Sequence, residues 1–359
     1  MVAASHGEPE PGTLLEVAVE EVAYDLHAMS TAGRHRVRGR ARYGDQVRDF
    51  SLFLKQVQSW ERSEAFTQVP EEVRELAAAG FPWRIEPLVY RSDLADRLPD
   101  GLRMPRAFGV FDLENLAAAM WLEDVPIQHV AWDLDRYQRA ASLLGRLAAS
   151  PRVAEVAGVG EFPWSVATYV GGRLNHQVIP MLRADELWAH PLIAGAFDQA
   201  LRGRLLAVAD RTWEYGNELL ALPVLTGHGD ACPGNLLVRP DTDGFTLIDF
   251  GFWMPLPLGF DLGQLLVGDV QIGVRGTADL AQRDEACLRA YLEGLRAEGY
   301  QVEESVLRRA HALQLLLFTG VSAFPWEHVH GPVTPELQRL AAERAVLTRY
   351  VLDLLEQAA

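Results

Sequence analysis

Between Leu225 and Gly251 short apolar runs alternate with polar loops, and this alternation leaves little choice of local fold. Leu225–His228, Leu236–Val238 and Phe245–Ile248 are too short for helices and are bounded by Gly, Pro, Asn and Asp. They read as three strands, with Asp241-Thr242-Asp243-Gly244 as the hairpin turn between the last two. The loop joining the first two holds His228, Asp230 and Asn235, and the third strand ends on Asp249. Two carboxylates and one amide are thereby expected in one small volume, carried by a rigid hairpin, where functional groups tend to gather.

A second feature lies far from this one. Of the 33 basic residues in the 359-residue chain, a single one is lysine, Lys55. It closes the apolar run Phe53-Leu54-Lys55. A compact ammonium does what a broad guanidinium cannot, so a chain that writes arginine elsewhere marks this position. Phosphoryl transfer fits the combined set. It asks for a carboxylate to take the proton of an acceptor hydroxyl, hard oxygen ligands for Mg2+, and a cation on the nucleotide phosphates. Asp230, Asn235 with Asp249, and Lys55 are suited to these tasks in turn.

Strands are expected at Glu20–Met29, Arg34–Arg42 and Asp49–Val57. Turns are expected at Ser30-Thr31-Ala32-Gly33 and Tyr43-Gly44-Asp45. The period of two in the middle strand puts five arginines on one face, which offers a phosphate-binding surface or, as the preferred reading, a solvated face. Helical spacing marks Glu71–Ala79 and Arg84–Leu94, with Pro87 in the first turn of the latter. A strand pair follows at Ala107–Asp112 and Ala117–Leu122. Beyond Trp132 helices dominate, at Asp133–Leu147, Asp198–Leu219, Ala278–Arg296, Ser305–Leu317 and Glu336–Leu355.

At this length two lobes are the natural prior. The division is placed at 1–125 and 126–359, with a link near 121–126. The first dozen residues read as a frayed terminus and not as a signal peptide. The longest apolar stretch, Leu313–Phe324, is too short for a bilayer. Two cysteines, Cys232 and Cys287, give no metal-ligand spacing, and the default home is cytoplasmic. The net charge of −16 argues against nucleic acid or anionic membrane as partner. It is spread along the chain, with 21 acidic and 14 basic side chains in residues 1–125 and 28 and 19 in the rest. Oligomeric state is not legible here.

The run His228-Gly-Asp230 through Asn235, followed by Ile248-Asp249-Phe-Gly251, resembles the paired catalytic motifs of kinase-like folds. Gly229 and the Pro233-Gly234-Asn235 ending are more similar to aminoglycoside phosphotransferases than to protein kinases. That resemblance spans about residues 20 to 270. It implies an α+β, two-lobed, protein-kinase-like fold, with an N-terminal antiparallel sheet and a larger, mainly helical C-terminal lobe. It implies ATP (or GTP) and Mg2+, with Asp230 as the catalytic base, Asn235 and Asp249 on the metal, and Lys55 on the nucleotide phosphates. Glu86 maps to the helix glutamate that pairs with this lysine. The Glu123 carbonyl and Val125 amide map to the adenine hinge. Ser30 and Thr31 map to the turn over the phosphates, although that turn has one glycine where a full glycine-rich loop has three. His228 and Asp261, the latter in Gly259-Phe-Asp261-Leu-Gly263, read as structural at the site. Only nine residues separate Gly251 from Asp261, too few for a peptide-docking segment. The implied partner is a small hydroxyl-bearing molecule. By resemblance it is an antibiotic of aminoglycoside or nucleoside type, with a metabolic sugar or amino-alcohol as the alternative. A nucleotide-binding module without turnover is the reading from another class.

Overall fold

The computed structural model describes residues 1–23, 29–114, 116–128, 130–160, 164–240 and 242–358. The chain forms two compact units, and neither is contiguous in sequence. One comprises Met1–Val130, Glu155–Pro163 and Leu237–Met254; the other comprises Ala131–Ala154, Trp164–Leu236 and Pro255–Ala359.

The first unit is built on a five-stranded sheet. Its strands are β1 (Thr13–Glu21), β2 (Thr31–Tyr43), β3 (Gln46–Gln58), β5 (Ala107–Glu114) and β6 (Ala117–Glu123), in the order β1-β2-β3-β6-β5. All neighbours are antiparallel. The tight β2–β3 turn passes through Gly44 at φ 59, a left-handed conformation that suits glycine. Alternation then sorts the two faces. Val37, Ala41, Phe50 and Leu52 form a small core, with Val2, Leu54 and Trp121 packed against it. The arginines of β2 lie on the opposite face, and carboxylates meet three of them: Arg36 pairs with Asp124, Arg40 with Glu16 and Arg38 with Glu20.

Three expectations are corrected here. The first strand is Thr13–Glu21 and not Glu20–Met29, of which residues 24–28 lie outside the described residues. A bulge between Leu14 and Glu16 breaks the period of two and hides the strand from a pattern search. Thr31 to Gly33 are not a turn, because pairing of β2 with β3 continues to Thr31↔Val57. The N-terminal residues are not frayed: α1 (Val2–His6) is tied down by His6 Nε2 to the Asp49 carbonyl at 2.9 Å and by Arg48 to Glu8 at 2.9 Å.

Two further elements bear on function. The expected helix at 71–79 is a single 3-10 turn leading into α2 (Arg74–Ala79). The next, α3 (Ile85–Arg91), buries Ile85, Glu86, Pro87, Val89 and Tyr90, with Pro87 in its first turn as expected. A second sheet orders β4 (Leu102–Arg103), β9 (Phe245–Leu247) and β8 (Leu236–Val238), with β9 in the middle. The expected strand pair is therefore present, while Asp241 of its turn lies outside the described residues.

The second unit is helical around the short strand β7 (Val224–Gly227). Its longer helices are α4 (Leu134–Ala149), α5 (Gln199–Ala209), α6 (Thr212–Leu220), α7 (Phe260–Gln271), α8 (Leu280–Ala297), α9 (Glu304–Leu315) and α10 (Pro335–Gln357). The single helix expected at Asp198–Leu219 is two. Arg211 leaves helical geometry at φ −115 and ψ 11, between Asp210 and Thr212, both weak helix formers. Two segments wind as π-helix, Val170–Val178 and Leu316–Gly320, the second continuing α9. Helices α4 and α8 pack backbone to backbone. A Cβ on Gly145 would fall on the Tyr291 carbonyl, and one on Gly294 on the Ser142 carbonyl. Among the described residues no helix is long and apolar enough to cross a membrane.

Candidate active site

In the first unit the lone lysine is clamped. Lys55 sits on β3, opposite Met120 of β6 and Arg34 of β2, and is 5% exposed. Its Nζ lies 2.6 Å from Glu86 Oε2 and 3.1 Å from Asp249 Oδ1. Burial works to lower the lysine's pKa, but the two carboxylates outweigh it, and Lys55 is held above its ordinary value as a permanent cation. Glu86 is 3% exposed, and burial pushes its carboxyl upward against the pull of Lys55.

Asp249 follows β9 at φ 63 and ψ 63, the one described non-glycine residue in the left-handed region. Such strain persists where surrounding packing over-determines it, and it gathers at functional sites. Here the packing is aromatic. Phe250 is fully buried and meets the ring of Tyr90, on the Glu86 helix, edge-on at 5.7 Å, and Trp253 at 5.9 Å. The helix that aims Glu86 thus also fixes the residue next to Asp249.

In the second unit the loop after β7 is held from below. Asp261, in the first turn of α7 and 3% exposed, accepts from the His228 amide and the Gly229 amide, each at 2.8 Å. Burial raises its pKa, opposed by His228 and those two amides. Gly229 takes φ 82, a left-handed conformation that would strain a residue with a side chain. The fully buried His228 accepts from the Asp230 amide through Nδ1 at 3.3 Å. Asn235 Nδ2 then donates to the Asp230 carbonyl at 2.8 Å and to Asp230 Oδ2 at 3.0 Å. The amide nitrogen of Asn235 is thereby committed to Asp230.

The structure thus brings Lys55, Glu86 and Asp249 together in one unit, and His228, Asp230, Asn235 and Asp261 in the other. Glu123 ends β6, with its carboxylate on Arg103 at 3.0 Å and its amide donating to the Arg106 carbonyl at 2.8 Å; Val125 follows, half-buried. The Ser30 carbonyl accepts from Gln58 at 2.8 Å, and Thr31 Oγ1 accepts from Arg34 at 3.4 Å. Sequence reasoning missed Arg34 itself. It shares the lysine's face directly across the β2–β3 pair and is near enough to pull down the pKa of Glu86. The signal was the arginine alternation, for which a solvated face was preferred to a phosphate-binding one.

A model of the phosphotransferase enzyme family APH matches residues 91–302. No curated protein matches the chain. Among solved structures, the chain is similar to the amicoumacin kinase hAmiN in complex with AMP-PNP, Ca2+ and Ami, at 12% identity and TM-score 0.53, over 98% of this chain and 92% of that one. It is similar to an aminoglycoside phosphotransferase from Alicyclobacillus acidocaldarius at 14% identity and TM-score 0.52, over 96% and 93%. It is also similar to a thermostable mutant of aminoglycoside phosphotransferase APH(4)-Ia in ternary complex with ADP and hygromycin B, at 9% identity and TM-score 0.52, over 98% and 97%. At these identities the likeness is one of fold.

Proposed function

Because this chain belongs to the phosphotransferase enzyme family and has a kinase-like fold, we propose that it moves the γ-phosphate of ATP (or GTP) to a hydroxyl of a small molecule. The observation that carries this reading is the buried ammonium of Lys55 held between Glu86 and Asp249. A structural salt bridge needs one carboxylate, and a buried pair is weak evidence of stability. A lysine given two carboxylates, one on a strained residue, is a cation placed for use.

Each residue then has a task. Lys55 meets the nucleotide phosphates, and Glu86 keeps it aimed. Ser30 and Thr31, at the start of β2, are assigned to cover the phosphates, and the Glu123 carbonyl and Val125 amide to meet the base. His228 and Asp261 hold the loop that presents Asp230. As the acceptor oxygen bonds to the γ-phosphorus, the bond to the leaving diphosphate breaks, the diphosphate keeps the electron pair, and Asp230 takes the hydroxyl proton.

The donor set fits Mg2+. Among the described residues no three His, Cys, Asp or Glu side chains form a metal group by themselves. Mg2+ uses one or two protein oxygens together with substrate phosphates, and Asp249 and the Asn235 side-chain oxygen are of that type. When bound it neutralises phosphate charge.

An antibiotic hydroxyl is the acceptor we favour, in line with the hygromycin B and Ami complexes of the similar structures. A sugar or amino-alcohol is the metabolic alternative, and a silent nucleotide-binding module is the non-enzymatic one. The test is Asp230→Ala, assayed for ATP-dependent gain of one phosphate by the acceptor and, separately, for nucleotide binding by calorimetry. Loss of about 100-fold or more in turnover with binding retained is expected. Near-normal turnover refutes the assignment. Asp249→Ala should lose Mg-dependent nucleotide binding itself.

A further inference from the structure

We propose that the acceptor is a hydroxylated molecule carrying a planar or apolar ring, seated on an aromatic shelf of Trp164, Tyr169 and Phe318. This rests on the phosphotransferase reading above and narrows it.

All the parts belong to the helical unit. Tyr169 and Phe318 stack with ring centroids 4.2 Å apart at 22°. Phe318 meets Phe260 at 4.9 Å, and Trp164 meets Phe260 at 6.0 Å and Phe318 at 5.9 Å. Phe260 is buried, whereas Trp164, Tyr169 and Phe318 each keep part of their surface open to solvent. A satellite core would close over such rings. Here three large aromatic surfaces are left partly uncovered together, which marks a ligand surface.

The shelf is tied to the chemistry through the backbone. Phe260 immediately precedes Asp261, whose carboxylate holds the His228 and Gly229 amides, and Asp230 is the next residue of that loop. Both helical walls of the shelf also depart from α geometry where they supply their rings. Tyr169 directly precedes the π-helical Val170–Val178, and Phe318 lies within the π-helical Leu316–Gly320. Such windings occur mostly as single-turn bulges, frequently at functional sites.

The experiment uses the full chain with MgATP and two acceptor panels, scored by mass for addition of one phosphate. One panel is polycationic aminoglycosides; the other is uncharged ring-bearing alcohols, namely purine and pyrimidine nucleosides and aryl diols. Transfer to the second panel is expected, with Phe318→Leu raising the acceptor KM by about tenfold while the nucleotide Kd stays at the wild-type value. Tyr169→Leu, which removes the stacked partner, should act in the same direction and covers the case in which the first variant folds poorly. Transfer confined to aminoglycosides, or an acceptor KM that ignores both variants, overturns the shelf and leaves the phosphotransferase reading standing. Nucleotide binding with transfer to neither panel overturns the shelf as well. Failure to bind MgATP at all overturns the underlying reading instead.

Discussion

Replacing Glu86 by Gln removes one of the two charges that compensate Lys55, and the size of the effect follows from burial. Lysine and glutamate are 5% and 3% exposed and 2.6 Å apart. Removing one partner of a buried pair costs about 3–5 kcal/mol, because the survivor is left without compensation. Asp249 stays 3.1 Å from the ammonium, so the lower end applies, about 3 kcal/mol. Urea unfolding at neutral pH, followed by near-ultraviolet circular dichroism, should show a lower midpoint with an unchanged slope. A double-mutant cycle with Lys55→Met should return a coupling of about 2 kcal/mol. The pH dependence has a definite sign. Lys55 is raised, so its contribution is complete below the ordinary 10.5 and is lost as pH climbs through the higher folded value. The wild-type midpoint should therefore fall above pH 10.5, and that of the variant should fall less. A wild-type midpoint in Glu86→Gln, or zero coupling in the cycle, refutes the reasoning.

Three other outcomes are expected. Asp284 is buried with His311 Nε2 at 2.8 Å and the Tyr350 hydroxyl at 2.5 Å; its pKa is lowered because His311 and these hydrogen bonds together outweigh the upward push of burial. Its contribution is present above the ordinary 3.8 and lost as pH falls through the lower folded value, so Asp284→Ala should cost about 3 kcal/mol at neutral pH and flatten the acid limb of stability. Gly294→Ala, a change that gains up to about 1 kcal/mol in an open helix, should instead cost about 1–3 kcal/mol in thermal or urea unfolding, because the new methyl meets the Ser142 carbonyl. Both thiols are pushed up to about 12, mainly by burial, so Cys232 and Cys287 should react with a thiol reagent at pH 8 only after denaturant is added.

The sequence was most readable where chemistry dictates residue type. The His228–Asn235 loop and Asp249 stand between strands whose apolar runs are short and unmistakable, and Lys55 is marked by being the single lysine. Glu86 came from the resemblance, and its distance to Lys55 came only from three-dimensional packing. Strand β1 was missed for a local reason: the bulge at Leu15 breaks its alternation and all nine residues are exposed, so no buried face shows in the pattern. The two π-helical segments were invisible because one extra residue per turn leaves no compositional trace. The assignment of residues 155–163 and 237–254 to the sheet-bearing unit depends on long-range contacts that no local signal carries.

A chain with one lysine offers a lysine-specific endoprotease one bond to cut. That bond, Lys55–Gln56, lies in the third strand, hydrogen-bonded on both sides by β2 and β6. No enzyme can thread a strand held in this way through its cleft, so the native chain should survive such digestion. Appearance of one short and one long fragment then clocks how often the sheet around the ammonium opens, with no label or engineered reporter. A nucleotide that settles on Lys55 should slow that clock in proportion to its occupancy.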